Sequence, residues 1–152
     1  MKGKILIAIA VYVFLVAFPG IAYSAEKTTD EEAIAMVERA GKLIEEQGDL
    51  ALPVIGNPQS GFYNKEKTLH VFVYNDNFEL IAHPYRPDLV SVHFPENSQI
   101  RIIANVTMIE GCCWHQYTDR ESCEEDIRVT RTYGKVFQFD SKNYIVCTSV
   151  ND

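Results

Sequence analysis

Ala33, Met36, Val37, Ala40, Leu43 and Ile44 recur at helical spacing. A helix with a single apolar stripe has to bury that stripe against another element. The segment opens on Thr29-Asp30-Glu31-Glu32, a capping-box pattern in which the Thr29 hydroxyl takes an orphan amide and Glu32 reaches back. Gly48 is a stop signal. The spacing therefore predicts one long amphipathic helix over residues 30–47.

Downstream the period changes. Leu50 to Ile55 reads as a short helical turn or irregular chain, and Gly56-Asn57-Pro58 and Ser60-Gly61 are loop signals. Leu69, Val71 and Val73 then alternate with His70, Phe72 and Tyr74, which is strand periodicity. Asn75-Asp76-Asn77 is a turn and residues 78–83 form the return strand. Pro84, Pro87 and Pro95 punctuate an irregular crossover to about residue 99. The spacing of Ile100, Ile103, Ala104 and Thr107 leans to a helix. Residues 114–117 give a third strand, 119–126 a charged loop, and 127–139 with 144–150 a closing hairpin. A helix followed by hairpins predicts an α+β domain, with the helix covering one face of an antiparallel sheet.

Residues 1–24 stand apart from that domain. Lys2 and Lys4 precede an unbroken apolar run from Ile5 to Phe18, then Pro19-Gly20, and Ala22-Tyr23-Ser24 supplies small residues two apart. This is the layout of a cleavable export signal, cut after Ser24. The competing reading is a leader kept as a membrane anchor, since the apolar region is about long enough to span if tilted. Residues 25–29 form a linker and 30–152 one domain, working in the periplasm or outside the cell. Without Lys2 and Lys4 the chain carries 12 Lys and Arg against 21 Asp and Glu, a net charge of −9. That balance disfavours nucleic acid and anionic membranes, which need a cationic face.

Cys112, Cys113, Cys123 and Cys147 all lie in the exported part. Oxidising conditions make disulfides the expectation, with three pairings open. A direct Cys112–Cys113 bond is disfavoured by geometry. A bond from one of that pair to Cys123 closes a short loop, and the other meets Cys147 only if their strands lie close. Zinc on Cys112, Cys113, His115 and Cys123 is the alternative, against which stands the missing two-residue gap between paired cysteines. No Cys-x-x-Cys is present, so neither covalent haem nor thioredoxin-type chemistry is supported.

His70-Val71-Phe72-Val73-Tyr74, a turn, then Ala82-His83-Pro84 and Asp88-Leu89-Val90 resemble the single Cache domains, the extracytoplasmic sensor modules of bacterial receptors. Tyr74 and His83 keep the family's nine-residue spacing. Gly111, Trp114 and Tyr117 are similar to its Trp-x-x-Tyr strand, Arg131 and Tyr133 to its basic-plus-Tyr strand, and Tyr144-Ile145-Val146 to its last strand. The chain departs from the family at Phe78 and Ser91, where glycine is usual, and at Cys147-Thr148-Ser149. The resemblance implies a PAS-like fold: a five-stranded antiparallel sheet, a long N-terminal helix behind it, and a small-molecule pocket on the other face roofed by the crossover. It further implies a small organic acid or amino acid as ligand. The expectation is a free-standing form without its own output domain, signalling through a membrane receptor or another periplasmic protein.

Alternation places His70, Phe72 and Tyr74 on one face of their strand and the aliphatic Leu69, Val71 and Val73 on the other. A buried carboxylate needs a cation and hydroxyl or imidazole donors. Arg131 offers a bidentate fork. Tyr74, Tyr117, Tyr133 and His83 offer donors, and Phe72 and Trp114 cover an apolar tail. These seven are the expected ligand-binding set, converging on one face. No cofactor, metal or catalytic set is indicated. A secreted structural or inhibitory protein with a cystatin-like helix-on-sheet fold is the alternative, but such domains lack the long crossover.

Overall fold

The computed structural model describes residues 27–119 and 128–151. The export leader with its cleavage site, and the part of the charged loop that holds Cys123, lie outside the described residues.

Helix α1 spans Asp30–Gln47, and its capping box forms as expected. The Thr29 hydroxyl accepts from the Glu32 amide at 3.2 Å, and the Glu32 carboxylate accepts from the Thr29 amide at 3.1 Å. A 3-10 turn, Gly48–Ala51, and the one-turn helix α2, Leu52–Ile55, follow. The strands are β1 Tyr63–Asn64, β2 Leu69–Tyr74, β3 Leu80–Ala82, β4 Cys112–Asp119, β5 Arg128–Phe139 and β6 Lys142–Asn151. Their order is β1-β2-β6-β5-β4, with β3 also pairing β2, and every pair is antiparallel. The sheet thus has six strands rather than five. The extra one is the two-residue β1, too short to leave a periodic signature.

Each face of the sheet is covered. Val37, Ala40 and Ile44 of α1 pack on Val71, Val73, Phe137, Tyr144 and Val146. Full burial of side chains of this size is worth roughly 1.5–3 kcal/mol each. Gly41 lets α1 sit this close: a Cβ there would lie 2.1–2.3 Å from ring atoms of Phe137. On the other face the crossover holds a 3-10 turn, Pro87–Leu89, and helix α3, Gln99–Glu110, capped by the Ser98 hydroxyl. Ile103 and Ala104 of α3 pack on Phe72, Tyr74, Ile145 and Cys147. The helical lean of residues 100–107 is thus realised, and α3 is the roof.

The two positions that depart from the family's glycines keep positive φ, 60° at Phe78 and 66° at Ser91. The backbone keeps the bend that glycine would make without strain, and L side chains occupy it.

The disulfide expectation needs correcting for three of the four cysteines. Cys112, Cys113 and Cys147 are free thiols. Cys113 pairs with Gly134 and Gly134 with Cys147, so a whole strand separates the two cysteines. Two strand spacings place their Cα atoms roughly 10 Å apart, beyond the ~7 Å that a disulfide can bridge. Cys112 faces the α1 side. That orientation also breaks the zinc alternative, since Cys112 points away from Cys113 and His115. Among the described residues no three His, Cys, Asp or Glu side chains are placed to hold a metal ion. Among them, too, no helix is long and apolar enough to cross a membrane.

Candidate functional site

The register decides which predicted residues meet. Phe72 pairs with Cys147, Cys147 with Gly134 and Gly134 with Cys113, one row across four strands. Tyr74 and Ile145 lie in a neighbouring row with Val136. All face α3. Tyr117 joins them, packed against the same cluster. His83, just past β3, turns its ring onto that face as well, 4.8 Å from the His70 ring and stacked on Phe72 at 5.7 Å. Phe72, Tyr74, His83 and Tyr117 are therefore together.

Trp114, Arg131 and Tyr133 are not with them. Trp114 pairs with Tyr133, their rings 5.3 Å apart, and both pack with α1. Arg131 lies over the Trp114 ring at 5.2 Å and makes a bidentate pair with Asp30 of α1, at 2.9 Å for each nitrogen. The expected single pocket of seven is thus overturned. Positions 114 and 117 are three apart on one strand, and 131 and 133 fall on the α1 side of β5. Neither of the two rows facing α3 holds a Lys or Arg. The roof supplies Arg101, whose Nη1 donates to the Phe94 carbonyl at 3.2 Å.

Two features of the α3 face suit ligand recognition. Tyr74 is only 3% exposed, and its hydroxyl has no hydrogen-bond partner among the described residues. No fully enclosed polar side-chain atom goes unpaired among the described residues. The hydroxyl therefore opens onto reachable space. Burial pushes its pKa well up, with Cys147 and Tyr117 adding to the effect, so it stays a protonated donor. His83 is fixed differently: its Nδ1 accepts from the amides of Tyr85, at 3.2 Å, and Arg86, at 2.9 Å. With Nδ1 accepting twice, the proton resides on Nε2. Burial first, then His70 and Arg86, push its pKa down to about 4, with Asp88 opposing. His70 has the opposite tautomer, because its Nδ1 meets the Thr68 carbonyl at 3.2 Å and so carries the proton. Burial lowers its pKa too. The face thus presents a hydroxyl donor, an imidazole donor and an imidazole acceptor around one phenyl ring.

Sequence reasoning placed His70 on this face without using it, and did not single out Arg101, which α3 brings over the Phe78 ring. Two crevices are lined by other residues. One of about 290 Å³ is lined by Asp49, Asp76, Lys142 and Tyr144 among others, and one of about 320 Å³ by Phe78, Glu96, Arg101, Ile102 and Asn105. Neither is lined by any of the seven predicted residues.

No family model matches the chain, and no curated protein matches its sequence. Among solved structures, a Cache chemosensory domain described for its recognition of carboxylic acids superposes with a TM-score of 0.55 at 16% identity. The match covers 79% of this chain and 90% of that one. A periplasmic sensor domain of a chemotaxis protein matches at 14% identity over 79% and 88%, with a TM-score of 0.47, too low to bear on the fold. The chain has the α+β, PAS-like fold of the Cache domains.

Proposed function

We propose that this chain is an exported, sensor-type domain that binds a small carboxylic acid or amino acid between the sheet and α3. The observation that carries the reading is the Tyr74 hydroxyl, on a residue only 3% exposed and without a hydrogen-bond partner among the described residues, its ring 5.8 Å from that of Phe72 between centroids. The His83 ring, whose Nε2 carries the proton, stacks on the same phenyl ring at 5.7 Å. An acceptor group with a short apolar tail fits this pattern. Support also comes from the Cache fold, and from the solved neighbour that recognises carboxylic acids. Because the sheet side offers neutral donors, the countercharge for a carboxylate falls to Arg101 at the roof. Phe72, Tyr74, His83 and Tyr117 form the proposed contact set. Arg131 holds a helix instead.

The domain follows an export leader cleaved near Ala25 and reports its bound state to a membrane receptor or another periplasmic protein. Mass spectrometry of native protein tests the leader: an N-terminus near Ala25 is expected, and an intact Met1 in a membrane fraction refutes processing. A thermal-shift screen against organic acids and amino acids tests the binding, since a ligand specific to the folded state raises the melting temperature. Tyr74→Phe should then weaken the best hit about tenfold, the loss of one hydrogen bond to a charged group at the low end of its range. A screen in which no member of either class shifts the melting temperature overturns the reading.

A further inference from the structure

A second chemical centre lies on the α3 face, away from Tyr74 and His83. Cys113 and His115 sit two apart on edge strand β4, so their side chains share a face. Cys113 Sγ is 2.8 Å from His115 Nε2. Thr107 of α3 closes the group, its Oγ1 3.5 Å from both. That hydroxyl donates to the Ile103 carbonyl at 2.8 Å, which leaves its oxygen to accept from Nε2–H once the imidazole is protonated. Cys113 and His115 are each half-buried, within reach of a small reagent. The other described thiols differ. Cys112 is exposed but faces the opposite side, and Cys147 is fully buried.

We propose that Cys113 is a thiol-exchange site, with His115 as its base and a low-molecular-weight disulfide as its reagent. The Cys113 thiol proton passes to His115 Nε2. Sγ attacks one sulfur of the reagent, the reagent's S–S bond breaks, and a mixed disulfide forms on Cys113. The departing thiolate takes the proton back from Nε2. Cys113 is oxidised, the leaving half of the reagent is reduced to a free thiol, and His115 returns to its starting state. The proposal goes beyond ligand sensing and does not depend on it.

The site adjoins the roof. Thr107 sits in a notch left by Gly134, where a Cβ would lie 2.5 Å from Thr107 Oγ1 and 3.1 Å from Cys147 Sγ. A group attached to Cys113 presses on Thr107 and so on α3. The thiol's oxidation state therefore acts on the element that covers the ligand face.

The resting pair is neutral, S–H to Nε2. Burial raises the Cys113 pKa and lowers that of His115. The titratable groups that act on the pair are Glu110 from α3, Cys147 from β6 and, from the other face of the same strand, Cys112, with Gly134 and Thr132 opposite on β5.

The test uses the exported protein, reduced and then exposed to oxidised glutathione, with adducts quantified at each cysteine by mass spectrometry. At pH 7 Cys113 should be modified at least tenfold faster than the more exposed Cys112. His115→Gln should slow Cys113 about a hundredfold, the low end of what a general base contributes. It should leave Cys112 and the melting temperature unchanged. In the wild type the Cys113 rate should bend as His115 titrates, below the ordinary histidine range, whereas Cys112 rises with its own thiolate. That profile decides the matter even where His115→Gln folds poorly. A Cys113 no faster than Cys112, or a Cys113 profile running parallel to that of Cys112, overturns the proposal.

Discussion

Arg131 and Asp30 join the two ends of the fold: the guanidinium on β5 forks both oxygens of a carboxylate in the first turn of α1, 101 residues away. Its plane also lies over Trp114. An acidic side chain in a helix's first turn already complements the helix dipole, and the fork fixes where that turn docks. Arg131 is thus a strut on the α1 face. Because the pair is partly exposed, screening limits its value. Arg131→Ala should lower stability by ~1–2 kcal/mol, counting the stacking on Trp114, and lower the melting temperature by several degrees. Lys at 131 should restore only part of this, lacking the fork. Calorimetry with a ligand from the thermal screen should show unchanged affinity in Arg131→Ala. A hundredfold loss would return Arg131 to the binding site.

His83 makes stability depend on pH. Its folded pKa of about 4 lies below the 6.5 of an unfolded chain. The unfolded state therefore binds the proton more readily, and stability present above pH 6.5 is lost as pH falls toward 4. Protonating Nδ1 would also break the two amide bonds that turn the chain into the crossover. His70 shifts the same way and adds to the slope, while Arg86 and Asp88 are the charges facing His83. His83→Asn supplies an acceptor oxygen for the same amides but does not titrate. Chemical denaturation between pH 7 and 4.5 should give a clearly flatter stability profile for this variant. Equal slopes would show that His83 is not the titrating group.

Ser91 holds a left-handed backbone with no side-chain reason to do so. Its φ is 66°, it is exposed, and its amide bonds the Leu80 carbonyl at 2.9 Å, tying the crossover to β3. Glycine keeps that amide and relieves the strain of a Cβ there, about 1–2 kcal/mol, less the entropy glycine loses on folding. Ser91→Gly should therefore stabilise by ~0.5–1 kcal/mol, whereas Ser91→Val should destabilise. Phe78 has a similar φ, but its ring packs with the roof cluster and lies under Arg101. Glycine at 78 should give no such gain.

Much of the fold was legible because separate signals coincided. In α1 the apolar period, the capping box and Gly48 all mark the same helix, and the alternation of Leu69 to Tyr74 correctly divides aliphatic from aromatic faces. The site was half legible. Trp114 and Tyr117, three apart on one strand, cannot share a face, and that parity was available in the sequence. Whether Arg131 or Thr132 joins Tyr74 depends on register across β5 and β6, which hydrogen bonds between strands set and no single strand records. The Asp30 partner of Arg131 has no local signal at all. Gly134 within a strand did carry one, since a strand glycine often marks a close approach.

That close approach gives the sharpest test of how the roof is seated. An added Cβ at Gly134 meets Thr107 at 2.5 Å and 2.9 Å, and Cys147 Sγ at 3.1 Å. Thr107 belongs to α3 and is held by its bond to the Ile103 carbonyl, so it cannot simply swing aside. Gly134→Ala should then lift α3 from the sheet and destabilise by ~1–3 kcal/mol, the usual range for overpacking. Thr107→Ala alone should also destabilise, through lost packing. The two substitutions relieve one another, because Ala at 107 removes both atoms that the new methyl would strike. The double variant should accordingly be more stable than the sum of the single losses by ~1 kcal/mol or more, as for residues in direct contact. Denaturant unfolding of all four proteins measures this coupling. Strict additivity would mean that Thr107 does not occupy the Gly134 notch in solution, and that α3 rests on the sheet through Ile103 and Ala104 alone.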